Sequence, residues 1–277
     1  MSIGIRKRGA SSLLGRKYGW KAQLPDARDR EFRSVRLVGS FPQYKNLHSL
    51  VKIVFDQQDE GSCTANAISQ AMMMCATIEH RPLVELSRNF LYYNERVIEG
   101  DVSQDNGAVP RDGYTSAASL GVAPESLWPY RESDLFEQPS AAAYTAALAH
   151  KIGQYLAIPQ GLTQMKQCLS AGYPFTFGIS VYESFESVGV AKSGNVPMPN
   201  VETEAILGGH YVVAIGYNDS GQQTFQDGRI WPAGTFLCQN SWGMQWGMVS
   251  MAGCFSIPYE YLTNPNLSSD FWTIRSV

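Results

Sequence analysis

Helix-forming residues are gathered in the first half of this chain and strand-forming residues in the second, and that segregation limits the fold most. Residues 62–79 (SCTANAISQAMMMCATIE) contain no Gly or Pro and are rich in Ala and Met, so they predict a helix with Ser62 as N-cap and Cys63 in its first turn. A second helix is predicted over 87–99, with Phe90, Leu91, Val97 and Ile98 as an apolar stripe. A third covers 110–119, opened by Pro110 and closed by Gly121. An Ala-rich piece (140–150) and a short helix (163–171) then lead into strand-like runs at 175–182, 211–217, 235–238 and 253–257, separated by Gly, Pro and Asn turns. Only Val51–Phe55 predicts a strand in the first half. Helices first and strands later point to an α+β protein of two subdomains, the helical part at about 56–140 and the strand-rich part at about 150–277.

At 277 residues the chain is near the limit for one hydrophobic core, and 44% apolar residues suffice to fill it. This composition excludes whole-chain disorder, and the short, interrupted apolar runs predict no membrane-spanning helix. The net charge of −3 is unevenly distributed. Residues 1–36 hold ten basic residues against three acidic ones, a net +7, so the remainder carries −10. A basic arm, residues 1–44, is therefore expected to precede a body of residues 45–277, and an acidic body can receive such an arm. Nucleic acid is not the expected partner, because no groove-reading motif appears. The five cysteines form no C-x-x-C pair, so neither a thiolate zinc site nor any other metal or cofactor is expected. The apolar stretch at Leu13-Leu14 is too short for a signal-peptide core, which makes a cytoplasmic setting the default, with export by another route as the alternative.

Cys63 is the one cysteine placed at a helix N-terminus, where unpaired N–H groups and the helix dipole favour a thiolate. Cys75, Cys168, Cys238 and Cys254 lie inside helices or strands and read as small buried hydrophobes. A thiolate needs a proton partner. Among four histidines, His48, His80 and His150 fall at surface-like connections. His210 instead follows Gly208-Gly209 and opens an apolar strand, with small residues beside it that admit close approach of another chain. An orienting acceptor for the imidazole is available in Asn240, next to Trp242, which can shield that contact from water. Either Gln57 or Gln58, together with the Cys63 N–H, can supply oxyanion donors.

Together these segments resemble the papain family of cysteine peptidases, bacterial members in particular. The resemblance rests on QQDEGSCTANA (57–67), the GGH strand from Gly208 and NSWGMQWG (240–247), and covers roughly residues 45–265. His210 follows Cys63 by 147 residues, within the span of about 130–150 expected of such a histidine. The resemblance implies a helical left subdomain, a β-barrel-like right subdomain and an active-site cleft between them. It also implies a Cys-His-Asn peptidase with an acyl-enzyme intermediate: Cys63 as nucleophile, His210 as base and acid, Asn240 as orienter and Gln57, six residues before the cysteine, as oxyanion donor. Gly107-Ala108 stands where the family pairs substrate backbone, Gly209 and Tyr211 flank the histidine at the specificity pocket, and Trp242 belongs to the leaving-group side.

Thr64 replaces the aromatic residue that usually follows the nucleophile, Glu60 replaces a disulfide cysteine, and the methyl of Ala108 threatens to crowd a peptide backbone. These departures leave a catalytically weak papain-fold binding protein as the alternative. The expected partners are a peptide or protein substrate for a monomer, and the chain's own arm, whose Leu13, Leu14, Tyr18, Trp20 and Leu24 are expected to pack on the body and partly cover the cleft.

Overall fold

A computed structural model describes residues 16–33, 41–225 and 228–277; Leu13 and Leu14 lie outside them. Strand β1 (Tyr44–Asn46) is followed by helices α1 (Cys63–Ile78), α2 (Arg88–Glu99), α3 (Pro110–Ser119) and α4 (Ala141–Ala147). Then come β2 (Gln154–Ala157), α5 (Leu162–Ser170), β3 (Phe175–Tyr182), α6 (Val188–Ser193), β4 (Ile206–Asn218), β5 (Thr235–Gln239), β6 (Cys254–Pro258), α7 (Tyr259–Thr263) and β7 (Ser268–Ser276). The strands form one antiparallel sheet in the order β2-β7-β3-β4-β5-β6, with β1 added to β4. The fold is α+β, with the helices leading and the sheet following.

Helix α1 joins the two halves. It is buried from Cys63 through Cys75 because it packs on α2 and α3 on one side and on β4 on the other. An all-round apolar and small-residue sequence suits such a position. Ser62 occupies the N-cap position but makes no capping bond; its hydroxyl instead shares a 2.7 Å hydrogen bond with Tyr130 and accepts from Asn66. A hydroxyl chain crosses the junction between helices and sheet: Tyr114 of α3 bonds Thr176 of β3 at 2.6 Å, and Thr176 bonds Tyr211 of β4 at 2.8 Å.

Two expectations fail. Val51–Phe55 is extended but joins no ladder: its neighbours are a β-bridge from Asp56 to Trp242 and the buried Phe55 ring beneath the Arg88 guanidinium. Val51 and Ile53 pack against the core and pair with no strand. In α2, Val97 and Ile98 are exposed, and the buried face after Phe90 and Leu91 is polar, with Asn94, Glu95 and Arg96. Arg96 reaches four backbone carbonyls (Tyr92, Val102, Gln104 and Leu135), which is how a buried guanidinium is satisfied.

Candidate active site

Cys63 opens α1, so its sulfur lies at the positive end of the helix, against β4. The backbone N–H groups of Tyr211, of Gly19 in the arm and of Thr64 lie near its sulfur and favour the charged form. His210, one residue before Tyr211, turns its Nε2 to Asn240 Oδ1 at 2.7 Å. The same oxygen accepts the Ser241 N–H at 2.8 Å, which fixes the amide's orientation. His210 Nδ1 is left buried with no hydrogen-bond partner among the described residues. The Trp242 ring stacks on the imidazole, with centroids 5.0 Å apart, and is itself walled by Trp246 and Phe185.

Gln57 is fully buried at the site, whereas Gln58 sits in the adjoining turn at φ 54°. The Gln57 amide is oriented from both ends: Oε1 accepts from Ser241 Oγ at 2.7 Å, and Nε2 donates to the carbonyls of Glu60 (2.9 Å) and of Lys17 in the arm (3.1 Å). Ser241 thus touches both Asn240 and Gln57. Sequence reasoning passed over it, although its place between Asn240 and Trp242 was the available signal.

The arm runs through the site. Arg16 pairs with Asp56 at 3.0 Å and lies over the Trp242 ring; Lys17 pairs with Asp105 at 2.6 Å, and Lys21 with Glu99 at 2.6 Å. Tyr18 sets its edge against His210 and bonds Glu186. Ala108 N–H donates to the Gly19 carbonyl (2.7 Å) and Lys21 N–H to the Ala108 carbonyl (3.1 Å), a parallel bridge, while Trp20 N–H donates to the Gly209 carbonyl (3.0 Å). The Ala108 methyl therefore does not prevent strand pairing there. Gly107, at φ 80°, lies so close to Gly19 that a Cβ would enter the Gly19 carbonyl. Tyr211, fully buried, donates its hydroxyl to the Asp270 carbonyl at 2.9 Å. Of the apolar arm residues, Tyr18 and Trp20 pack on the body, but Leu24 is exposed; that stretch is anchored instead by Arg111, which holds the Leu24 carbonyl and pairs with Asp29 at 2.5 Å.

The thiol expected to ionise easily is, with the arm in place, pushed up to about 12, because burial outweighs the N–H groups aimed at it. Burial likewise pushes the His210 imidazole down to about 4; its bond to Asn240 opposes this, and the charge of Arg16 adds to it. Beneath the arm both groups are held neutral. Three residues before the cysteine, Glu60 is buried and pushed up to about 7, first by burial. All five cysteines are free, Cys238 and Cys254 included.

The sequence matches the family described as papain family cysteine protease over residues 42–259. An uncharacterized peptidase C1-like protein of Acanthamoeba polyphaga mimivirus is 33% identical over 293 residues, spanning 96% of this chain and 89% of that protein. Xylellain, a cysteine protease from Xylella fastidiosa, superposes with a TM-score of 0.84 at 34% identity, over 95% of this chain and 98% of its own. A procathepsin B from Trypanosoma congolense shares the fold with a TM-score of 0.68 at 17% identity, over 92% and 85% of the two chains.

Proposed function

The chain belongs to the papain family of cysteine proteases, whose substrates are peptides or proteins, and from that premise we propose that Cys63 is the nucleophile, His210 the general base and acid, Asn240 the residue that orients the imidazole, and Gln57 an oxyanion donor. The unpartnered Nδ1 of His210 takes the thiol proton, and the thiolate attacks the scissile carbonyl carbon. The oxygen gains the charge and is held by Gln57 Nε2–H and the Cys63 N–H. His210 then protonates the departing amine, leaving a thioester. It deprotonates the water that attacks this thioester, and collapse of the second tetrahedral intermediate releases the carboxylic acid and restores the thiol. Asn240 Oδ1, at 2.7 Å from Nε2, holds the ring in one tautomer throughout.

The arm acts as a built-in inhibitor. It enters beside Trp242, on the leaving-group side, and leaves past Ala108, on the acyl side, so its direction is opposite to that of a substrate. The Gly19 N–H lies near the sulfur, where a substrate would present a carbonyl carbon. The arm fills the site without being cleaved and, by excluding water, keeps the Cys63–His210 pair neutral.

The observation that carries the catalytic proposal is the His210–Asn240 bond with Nδ1 left open, His210 preceding in β4 the Tyr211 whose N–H lies near the Cys63 sulfur. Cys63→Ala is expected to abolish hydrolysis of small peptide amides while the melting transition is retained; turnover at the normal rate in that variant would refute the assignment.

A further inference from the structure

The turn over residues 57–62 separates the two oxyanion donors, with the Gln57 amide at its start and the Cys63 N–H just past its end. Behind it runs a chain of hydrogen bonds. Arg88 Nη1 donates to Asn66 Oδ1 at 3.3 Å, and Asn66 Nδ2 donates to Ser62 Oγ at 3.0 Å. Ser62 Oγ and the Tyr130 hydroxyl are 2.7 Å apart, and that hydroxyl donates to the Gln57 carbonyl at 2.8 Å. The polarity is forced. Arginine can only donate and a carbonyl can only accept, so Tyr130 gives its one proton to Gln57 and receives that of Ser62. The start of the chain is fixed as well: the Arg88 guanidinium lies between the rings of Phe55 (4.4 Å) and Tyr130 (3.9 Å) and also donates to the Asp56 carbonyl at 3.2 Å. Arg88, Asn66 and Ser62 are buried, where bonds of this kind are strengthened and a lost one is costly.

Both ends of the turn are aimed by these contacts. Asn66 donates twice to the Ser62 carbonyl, from Nδ2 at 2.8 Å and from its backbone N–H at 3.0 Å. That carbonyl and the Cys63 N–H belong to one planar trans peptide unit, so holding the oxygen sets where the N–H points. At Gln57 the N–H donates to the Ser241 carbonyl at 2.8 Å while its own carbonyl accepts from Tyr130. With both flanking peptide units held, the direction in which the Gln57 side chain leaves the backbone is fixed. The chain of bonds does not run through the His210–Asn240 pair.

Resting on the peptidase proposal, we infer that Tyr130 and Asn66 are positioning residues of the oxyanion site. Tyr130 sets the Gln57 amide through the Gln57 carbonyl, Asn66 sets the Cys63 N–H through the Ser62 carbonyl, and Arg88 anchors both. Donors aimed before charge develops need not turn as it forms, which is the source of their catalytic effect.

Two reactions of one sulfur, compared in the full chain, test this. Iodoacetamide alkylation displaces iodide from a saturated carbon and charges no oxygen, whereas hydrolysis of a dipeptide amide does charge one. Both require a displaced arm and an ionised thiol, so the ratio of kcat/KM to the alkylation rate constant cancels those two factors. Tyr130→Phe keeps the ring stacked on Arg88 and removes only the hydroxyl; it is expected to lower the ratio about tenfold, through kcat with KM unchanged. Asn66→Ala should lower it by a similar factor. In a Gln57→Ala background the effect of Tyr130→Phe should shrink below about twofold, because no amide is left to aim, while that of Asn66→Ala persists. An unchanged ratio in Tyr130→Phe, or an equal loss with and without Gln57, would overturn the inference. A peptidyl aldehyde gives a readout without turnover: the Cys63 sulfur adds to its carbonyl carbon, and the thiol proton passes to the oxygen held by the same donors. Its dissociation constant, referred to the alkylation rate, should rise about tenfold in Tyr130→Phe. If aldehyde binding weakens in this way in a chain that cleaves no peptide, the positioning role stands and the peptidase proposal falls.

Discussion

Gly19→Ala should unseat the arm by sterics alone, touching no charge and no hydrogen bond. A Cβ on Gly19 would lie 2.8 Å from Gly61 Cα and closer still to the Gly61 carbonyl. Gly61 cannot retreat, because its N–H is held by both oxygens of Asp105 at 3.1 and 3.2 Å. On the other side the Gly19 carbonyl is fixed by Ala108 N–H and abuts Gly107. Forcing a methyl into a filled space costs about 1–3 kcal/mol, and contact with backbone on both sides places this case at the upper end. Reduced freedom of the displaced arm returns roughly 0.4–1 kcal/mol, which leaves a net shift of about 2 kcal/mol toward the open cleft. At about 1.4 kcal/mol per decade, that is roughly a thirtyfold rise in the open population. The assay is the pseudo-first-order rate of Cys63 alkylation in the full-length protein, with hydrolysis of a fluorogenic dipeptide amide measured in parallel; both should rise by that factor. Gly189→Ala is the control, since a Cβ there meets nothing nearer than Ser187 Oγ at 3.7 Å. Wild-type labelling and hydrolysis in Gly19→Ala would refute the claim that the arm's seat closes the site.

Asn240→Ala removes the acceptor from His210 Nε2 and should lower kcat/KM by about 10- to 100-fold, the worth of one buried hydrogen bond, with the melting temperature little changed. Gln57→Ala should cost about 10²–10³ in kcat, and Ser241→Ala about tenfold, because the Gln57 amide loses the hydroxyl that orients it; a pre-steady-state comparison on one amide substrate separates the two. Glu60 governs a pH effect on stability. Its folded-state value is raised to about 7, so the protonated form is favoured on folding. Its contribution is complete below the usual carboxyl range and is lost as pH rises through about 7. The loss is on the order of 3 kcal/mol. Urea unfolding at pH 5 and pH 8 should show that decline in the wild type and a flatter profile in Glu60→Gln.

The helices and central strands were legible because their signals are local. The Gly- and Pro-free run after Ser62, the helical stretch from Ser87 and the apolar run from Tyr211 each announce an element within a few residues. The last strand was not. Ser268, Ser269 and Asp270 open it with polar side chains, and its burial comes from β2 and β3 on either side, which only the tertiary structure supplies. Likewise Val97 and Ile98 match a helical stripe by period, but α2 buries Asn94, Glu95 and Arg96 because the Tyr144 hydroxyl, Thr64 and loop carbonyls, respectively, are there to pair with them. At the site, Cys63, His210 and Asn240 were picked out by residue type and spacing, whereas Gln57 was separated from Gln58 only by the family resemblance. Sequence could not supply the reversed direction of the arm, the place of Trp20 on the body or the double contact of Ser241, since each depends on segments far apart in the chain meeting in space. The easily ionised thiol was expected from the helix N-terminus alone; the covering arm reverses that expectation through burial.

The most direct test is to treat full-length Gly19→Ala with a peptidyl epoxide, which a thiolate opens, and to map the adduct by mass spectrometry while following hydrolysis. One adduct per chain on Cys63, with hydrolysis lost in proportion to its formation, is the predicted result. Adducts confined to other cysteines, or hydrolysis that survives complete modification of Cys63, would contradict it.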